Sequence, residues 1–212
     1  MTGWTSTLEL AGCDENWVQK LAELLAANKW SDSLSTIVTK LASGDRLSIS
    51  DGHKLYSHKN LHEIGRLANM VKLARFGKNV FFNSNVHINQ TNICVLACKF
   101  CAFRRSKKQS DAYEFSIDSY LAEIEKYSDV IDEVHSVGGL HPDWDVCFYE
   151  DLISAAKNKY PKISIKALTA IEIKHLSNQS NISFAETLSR LKTAGLDSLP
   201  GGGAEILNDQ VR

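Results

Sequence analysis

Residues 80–103, VFFNSNVHINQTNICVLACKFCAF, run a strand-like segment straight into three closely spaced cysteines, Cys94, Cys98 and Cys101. The first part, Val80 to Asn89, predicts a strand, with Asn85, His87 and Asn89 on one face by the two-residue alternation of side chains. The second part has the form CxxxCxFC, with Phe100 directly before the last cysteine. Three thiolates on one short loop can hold three corners of a [4Fe-4S] cube and leave the fourth iron without a protein ligand. A structural zinc site needs a fourth ligand, usually from a second CxxC-like pair; the chain has none, and His87 and Cys147 are the only recruits. A disulfide between Cys98 and Cys101 is a third reading, but it leaves Cys94 and the preceding strand without a purpose.

Upstream of this stretch the pattern is helical. Trp17, Leu21, Leu24 and Leu25 form one apolar stripe after Asp14 as the expected cap, and Leu34, Ile37, Val38 and Leu41 form a second before Gly44. Asn60 with Glu63 predicts a capped third helix bearing Leu61, Ile64, Leu67, Ala68 and Val71, stopped by Gly77. Residues 1–78 therefore read as an N-terminal helical segment.

Downstream, strands and helices alternate over residues 79–212. Ser116 caps a helix carrying Ile117, Tyr120, Leu121 and Ile124, and Glu133 to Val137 is a second strand ending at Gly138 and Gly139. A helix from about Tyr149 carries Leu152, Ile153 and Ala156 until Pro161 forbids its continuation. Ile163 to Leu168 is a third strand, a helix from Ser183 ends at Gly195, and Leu196 to Leu199 opens a fourth strand before Pro200 and three glycines. Alternation of this kind implies parallel strands with crossover helices, an α/β fold, though periodicity alone does not separate an open sheet from a barrel. The unusual residues all follow strand ends: the cysteines, Gly138-Gly139-Leu140-His141-Pro142, Thr169 with Glu172, and Gly201 to Glu205. In parallel α/β folds those loops converge on one mouth, where active sites are built.

Composition narrows the partners. The chain has 212 residues, 43% of them hydrophobic, and a net charge of -1, with 24 Lys and Arg against 25 Asp and Glu. That balance argues against a nucleic-acid-binding surface, although Lys99, Arg104, Arg105, Lys107 and Lys108 form a local basic run around the cysteine loop. No stretch approaches the ~18 apolar residues of a membrane span, and the N-terminus lacks the order of a secretory signal. Five cysteines, three of them in one loop, suit a reducing compartment better than a disulfide framework, so a cytoplasmic location is expected.

The cysteine pattern resembles that of the radical S-adenosylmethionine (SAM) superfamily. Together, FFNSNVHINQTNICVLACKFCAF, EVHSVGGLHPDW, ISIKALTAIEI and LDSLPGGGAEIL resemble its menaquinone- and deazaflavin-pathway branch, and within it the aminofutalosine synthase family most. The resemblance covers about residue 35 to the C-terminus. It implies a partial (β/α) TIM-type barrel with about four of its parallel strands present, a [4Fe-4S] cluster on Cys94, Cys98 and Cys101, and SAM as co-substrate. It further implies that Gly138 and Gly139 present backbone carbonyls to the SAM methionyl amine. Glu205 is the expected contact for the nucleoside end, and His141, Lys166 and Thr169 are the expected substrate contacts. The implied reaction adds a 5'-deoxyadenosyl radical to 3-[(1-carboxyvinyl)oxy]benzoate and, after rearrangement and loss of the carboxyl carbon as bicarbonate, gives 6-amino-6-deoxyfutalosine, with methionine released from SAM and an electron from a flavodoxin or ferredoxin. Sibling transformations, those of dehypoxanthine futalosine cyclase and the deazaflavin FO synthase subunits, are the alternatives, along with a catalytically inactive fragment or zinc-binding module. The sequence departs from the family pattern at Leu140, where Glu is usual, at Gln90, where Pro is expected, and in ending at Arg212, which leaves four strand positions of a barrel.

Overall fold

The computed structural model describes residues 12–99, 101–201, 208 and 210. The chain divides into two compact units, residues 1–81 and 82–212.

The first unit is helical: α1 (Trp17–Ala26), α2 (Ser35–Ala42), entered through a 3-10 turn at Asp32–Leu34, α3 (Ile49–Ser57) and α4 (Leu61–Phe76). Leu21, Leu25, Leu34, Ile37, Leu67, Met70 and Ala74 form its core. The Asn60 side chain caps α4 by accepting from the Glu63 amide, and Gly77, at φ +58°, ends it. Asp14 does not cap α1. Asn16 occupies that position without a side-chain bond, and the Asp14 carboxylate instead accepts from the Asn16 amide and pairs with Lys20. Helix α3 has no clear apolar stripe in sequence; it is started by a capping box in which Ser48 and Asp51 each satisfy the other's backbone amide.

The second unit alternates: β1 (Asn85–Ile88), α5 (Ile117–Glu125), β2 (Glu133–Ser136), α6 (Val146–Lys159), β3 (Ser164–Ala167), α7 (Ala170–Ser180) and α8 (Phe184–Ala194). The described strands form one parallel sheet in chain order, β1-β2-β3. Val86 lies beside Val134 and Val134 beside Ile165, while His87 lies beside His135 and His135 beside Lys166. The pleat therefore divides the sheet into an apolar and a polar face. Ile88, Val134 and Ile165 pack into a cluster with Tyr120, Ile124, Leu152, Ile153 and Leu191 from the helices, all buried.

Three differences from the sequence reading have physical causes. Val80 and Phe82, expected in the first strand, are highly exposed, and pairing begins only at Asn85. The fourth strand contracts to a parallel bridge between Lys166 and Ser198, with the Ala167 amide donating to the Ser198 carbonyl at 3.1 Å. Helix α7 was unforeseen because its apolar stripe is thin; its start is fixed by a Thr169/Glu172 capping box, and its buried face includes Glu172 and Ser177 beside Ile173 and Leu176.

This packing predicts the outcome of a core substitution. Ile165→Ala, at a side chain 1% exposed, should destabilise the second unit by about 2–5 kcal/mol. Phe184→Ser, at a position 54% exposed, should change stability by no more than about 0.5 kcal/mol. Urea unfolding followed by far-ultraviolet circular dichroism checks both.

Candidate active site

The segment leaving β1 is anchored before the first cysteine is reached. Thr91 is fully buried and its hydroxyl donates to the Tyr113 carbonyl at 2.8 Å; Asn92 donates to the Asp111 carbonyl at 2.9 Å and accepts from the Tyr113 amide at 2.8 Å. The Cys94 amide donates to the Arg105 carbonyl at 3.0 Å, and the Arg105 amide returns to Asn92 at 2.7 Å. Arg105 and Lys107 of the basic run are themselves committed, to Asp111 and Asp143 respectively.

Beyond that root the loop turns outward. Cys94 is half-buried, Cys98 and Cys101 are exposed, and all three are free thiols; the Cys101 amide donates to the Cys98 carbonyl at 3.1 Å. Among the described residues no three His, Cys, Asp or Glu side chains converge in a metal-holding arrangement. Cys147 lies on α6, with its sulfur 3.4 Å from Arg190 Nη2. The donor set is three uncommitted thiols on one accessible loop. It fits the three-cornered holding of a cuboidal cluster, whose binding must draw the sulfurs together.

The glycine turn after β2 packs directly on the root of this loop. The Gly139 amide donates to the Thr91 carbonyl at 2.8 Å, and the Val95 amide donates to the Leu140 carbonyl at 2.9 Å. A Cβ on Gly139 would stand 2.1 Å from the Ile93 carbonyl oxygen and 3.1 Å from the Cys94 Cβ. On Gly138 it would stand 2.8 Å from the Gln90 amide nitrogen and 3.0 Å from the Thr91 oxygen. Neither residue has a positive φ, so these glycines are required by close backbone approach and not by dihedral freedom. Two motifs 37 residues or more apart in the chain are thereby brought into contact.

A buried polar network supports the turn from within the unit. Glu172 accepts from the Gly138 amide at 3.0 Å, from the Thr169 amide at 2.6 Å and from the Thr169 hydroxyl at 2.8 Å. Burial pushes the Glu172 carboxyl above its ordinary value, opposed by these bonds and by one from Gln90. Gln90, 1% exposed, donates to the Tyr149 hydroxyl at 3.1 Å and accepts from Ser136 at 3.0 Å. Between β3 and this network Leu168 is fully buried at φ +66°, an uncommon conformation for a residue with a Cβ, held while the chain turns from strand to Thr169.

The expected substrate contacts lie around this frame. Thr169 is the hydroxyl of the α7 capping box. His141 is buried; its Nδ1 accepts from the Asp143 amide at 3.2 Å, which leaves Nε2 as the donor to Glu114 at 2.7 Å. Its ring stacks on Trp144 with centroids 4.3 Å apart, and burial holds its pKa below the ordinary imidazole value against the pull of Glu114. Lys166 is on the polar sheet face, 2.6 Å from Glu133. Glu205 lies outside the described residues. Sequence reasoning did not find Ser136 or Tyr149, and it saw Gln90 only as a departure from a pattern. A polar residue just past a strand end, where the next strand ends in Ser136 and is followed by Gly138-Gly139, is the signal that was available.

Residues 88–212 match the family model described as the radical SAM superfamily, and the chain belongs to that superfamily. Enzymes of this class use a [4Fe-4S] cluster and SAM. Among curated proteins it is 40% identical over 180 residues to an aminodeoxyfutalosine synthase of Thermus thermophilus, covering 84% of this chain and 48% of the relative. It is 38% identical over 174 residues to the enzyme of the same name from Streptomyces coelicolor, covering 82% and 45%. A cyclic dehypoxanthine futalosine synthase of Halalkalibacterium halodurans is 34% identical over 182 residues, covering 85% and 49%. The chain thus spans about half the length of the curated relatives it matches. Two solved structures share the fold: HydG, a maturase of the [FeFe]-hydrogenase, with TM-score 0.52 at 14% identity over 90% of this chain and 50% of that one, and methylornithine synthase (PylB), with TM-score 0.50 at 16% identity over 74% and 56%. The parallel α/β unit is accordingly a partial barrel of the TIM type.

Substituting the glycines tests the packing. Gly139→Ala should destabilise the second unit by about 1–3 kcal/mol, because the backbone oxygen it meets cannot swing away as a side chain can. Gly65→Ala in α4, where nothing lies within 4 Å, should instead stabilise the chain by about 0.4–1 kcal/mol. Denaturant midpoints of the two variants are expected to move in opposite directions.

Proposed function

We propose that this chain carries the cluster- and SAM-binding part of an enzyme that converts 3-[(1-carboxyvinyl)oxy]benzoate to 6-amino-6-deoxyfutalosine. The observation that carries this reading is the contact of the glycine turn with the cysteine loop, Gly139 against Ile93 and Cys94. The ordering of the curated relatives, 40% and 38% identity to two aminodeoxyfutalosine synthases against 34% to the cyclic dehypoxanthine futalosine synthase, favours this substrate over the sibling's.

In this reading Cys94, Cys98 and Cys101 hold the cluster, Gly138 and Gly139 face the methionyl end of SAM, and Glu205 takes the nucleoside end. A cluster held by these cysteines would supply the electron for reductive cleavage of the SAM sulfonium, with methionine as the leaving group, for addition of the adenosyl carbon to the enol-ether double bond. The work of the chain is positioning. Gly138 is half-buried and Gly139 buried against the Ile93–Cys94 backbone, and Glu172 fixes the turn through the Gly138 amide, so a ligand meeting the turn meets a surface that need not reorganise. His141, Lys166 and Thr169 stand on the substrate side. His141 is buried against Trp144, which packs with Phe148 on the apolar core of the unit, and this fixes the position of the imidazole. A low-potential flavodoxin or ferredoxin supplies the electron, met by Lys99 and Lys108, which are exposed beside the loop. Neither nucleic acid nor membrane has a place in this reading, and no helix among the described residues is long and apolar enough to cross a membrane.

Anaerobic reconstitution tests the assignment. Cys98→Ala should lose the visible absorption of the cluster and the release of 5'-deoxyadenosine from SAM, both measured against the unaltered chain. A variant retaining both would overturn the cysteine assignment. Mass analysis of the product formed from 3-[(1-carboxyvinyl)oxy]benzoate and from dehypoxanthine futalosine decides between the two substrates.

A further inference from the structure

The polar face of the sheet carries a row of basic groups that the cofactor-binding frame does not use. β1 contributes His87, β2 contributes Glu133 and His135, and β3 contributes Lys166, with His87 beside His135 and His135 beside Lys166 in the register. The two imidazole rings lie 5.0 Å apart at 34°. Above them the Asn89 amide nitrogen is 3.1 Å from His87 Nε2 and donates to the Val137 carbonyl at 2.6 Å, so the row ends one residue below Gly138. Among the described residues of this face, three basic side chains stand with one carboxylate, Glu133, which is paired with Lys166 at 2.6 Å.

That imbalance is felt within the row. His135 is held below the ordinary imidazole value, first by burial and then by His87 and Lys166, with Glu133 opposing. An anion placed between His135 and Lys166 reverses the electrostatic part of that penalty and favours uptake of a proton from solvent by the imidazole. Charge complementarity therefore selects the occupant. A carboxylate can accept from both an imidazole and an ammonium, and an attached aromatic ring can lie along the paired imidazoles toward the glycine turn.

We propose that His87, His135 and Lys166 form the seat of an aryl carboxylate, the benzoate end of the substrate, on the polar face of β1–β3 beneath the glycine turn. The identification of that group as part of a substrate rests on the reading given under Proposed function; the seat itself is tested separately from it.

Equilibrium dialysis of radiolabelled benzoate against the cluster-loaded chain, with benzamide as the uncharged competitor, reads the seat directly. Benzoate should bind and benzamide should not displace it. Binding should be at least about threefold tighter near pH 6 than near pH 8, since the protonated imidazole is the form that attracts the anion. Lys166→Met and His135→Gln should each weaken binding about tenfold or more, the scale of one lost charge-assisted bond. Glu133→Gln, which releases Lys166 from its partner, should tighten it, a gain that damage to the fold cannot produce. Absence of benzoate binding, equal competition by benzamide, or unchanged affinity in both Lys166→Met and Glu133→Gln overturns the seat. Release of 5'-deoxyadenosine from SAM by the same preparations separates the two ideas: a chain that cleaves SAM but fails the benzoate test removes the seat alone, and one that cannot cleave SAM removes the reading beneath it.

Discussion

The backbone contact between Gly139 and the Ile93–Cys94 peptide is the constraint on which the second unit's chemistry depends. It is a contact that tolerates no side chain: even one methyl group would stand 2.1 Å from a carbonyl oxygen that is fixed by its own neighbours. Because the Gly139 amide also donates to Thr91 and Val95 donates back to Leu140, the loop after β1 and the turn after β2 form one hydrogen-bonded surface. The parallel sheet brings the two strand ends to the same edge, and the glycines let them touch.

What keeps that surface from collapsing is the carboxylate beneath it. Glu172 is buried, an unfavourable place for a charge, yet it has donors from the turn, from the start of α7 and from Gln90. A buried polar group with all its partners specifies one arrangement, because any shift of the turn strands an acceptor. The strained Leu168 lies in the same connection, and its conformation is maintained by the bonds on either side: its own amide donates to Ser136 at 3.0 Å, and the next residue enters the capping box.

Much of this was legible in the sequence, and the misses have reasons. The helices with wide apolar stripes, α1, α2, α4, α5, α6 and α8, follow directly from periodicity, as do the strands whose alternate residues enter the core. Helix α7 was missed because its buried face holds Glu172 and Ser177, polar residues that periodicity counts as solvent-facing. Helix α3 was missed because a capping box, not an apolar stripe, specifies it. The cysteines and the glycine pair stood out by composition alone, but the sequence carried no sign of how close they lie. Gln90, Ser136 and Tyr149 form a network whose members are 13 to 59 residues apart, and only the register of β1 on β2 makes them neighbours.

The chain-order sheet has a consequence for biosynthesis. Strands are added one after another, and the acceptors of the two glycine amides, the Thr91 carbonyl and the Glu172 carboxylate, both come from chain made before α8. Once Glu172 has left the ribosome both of those acceptors have been made, and the pairing of the two glycine amides can form during elongation.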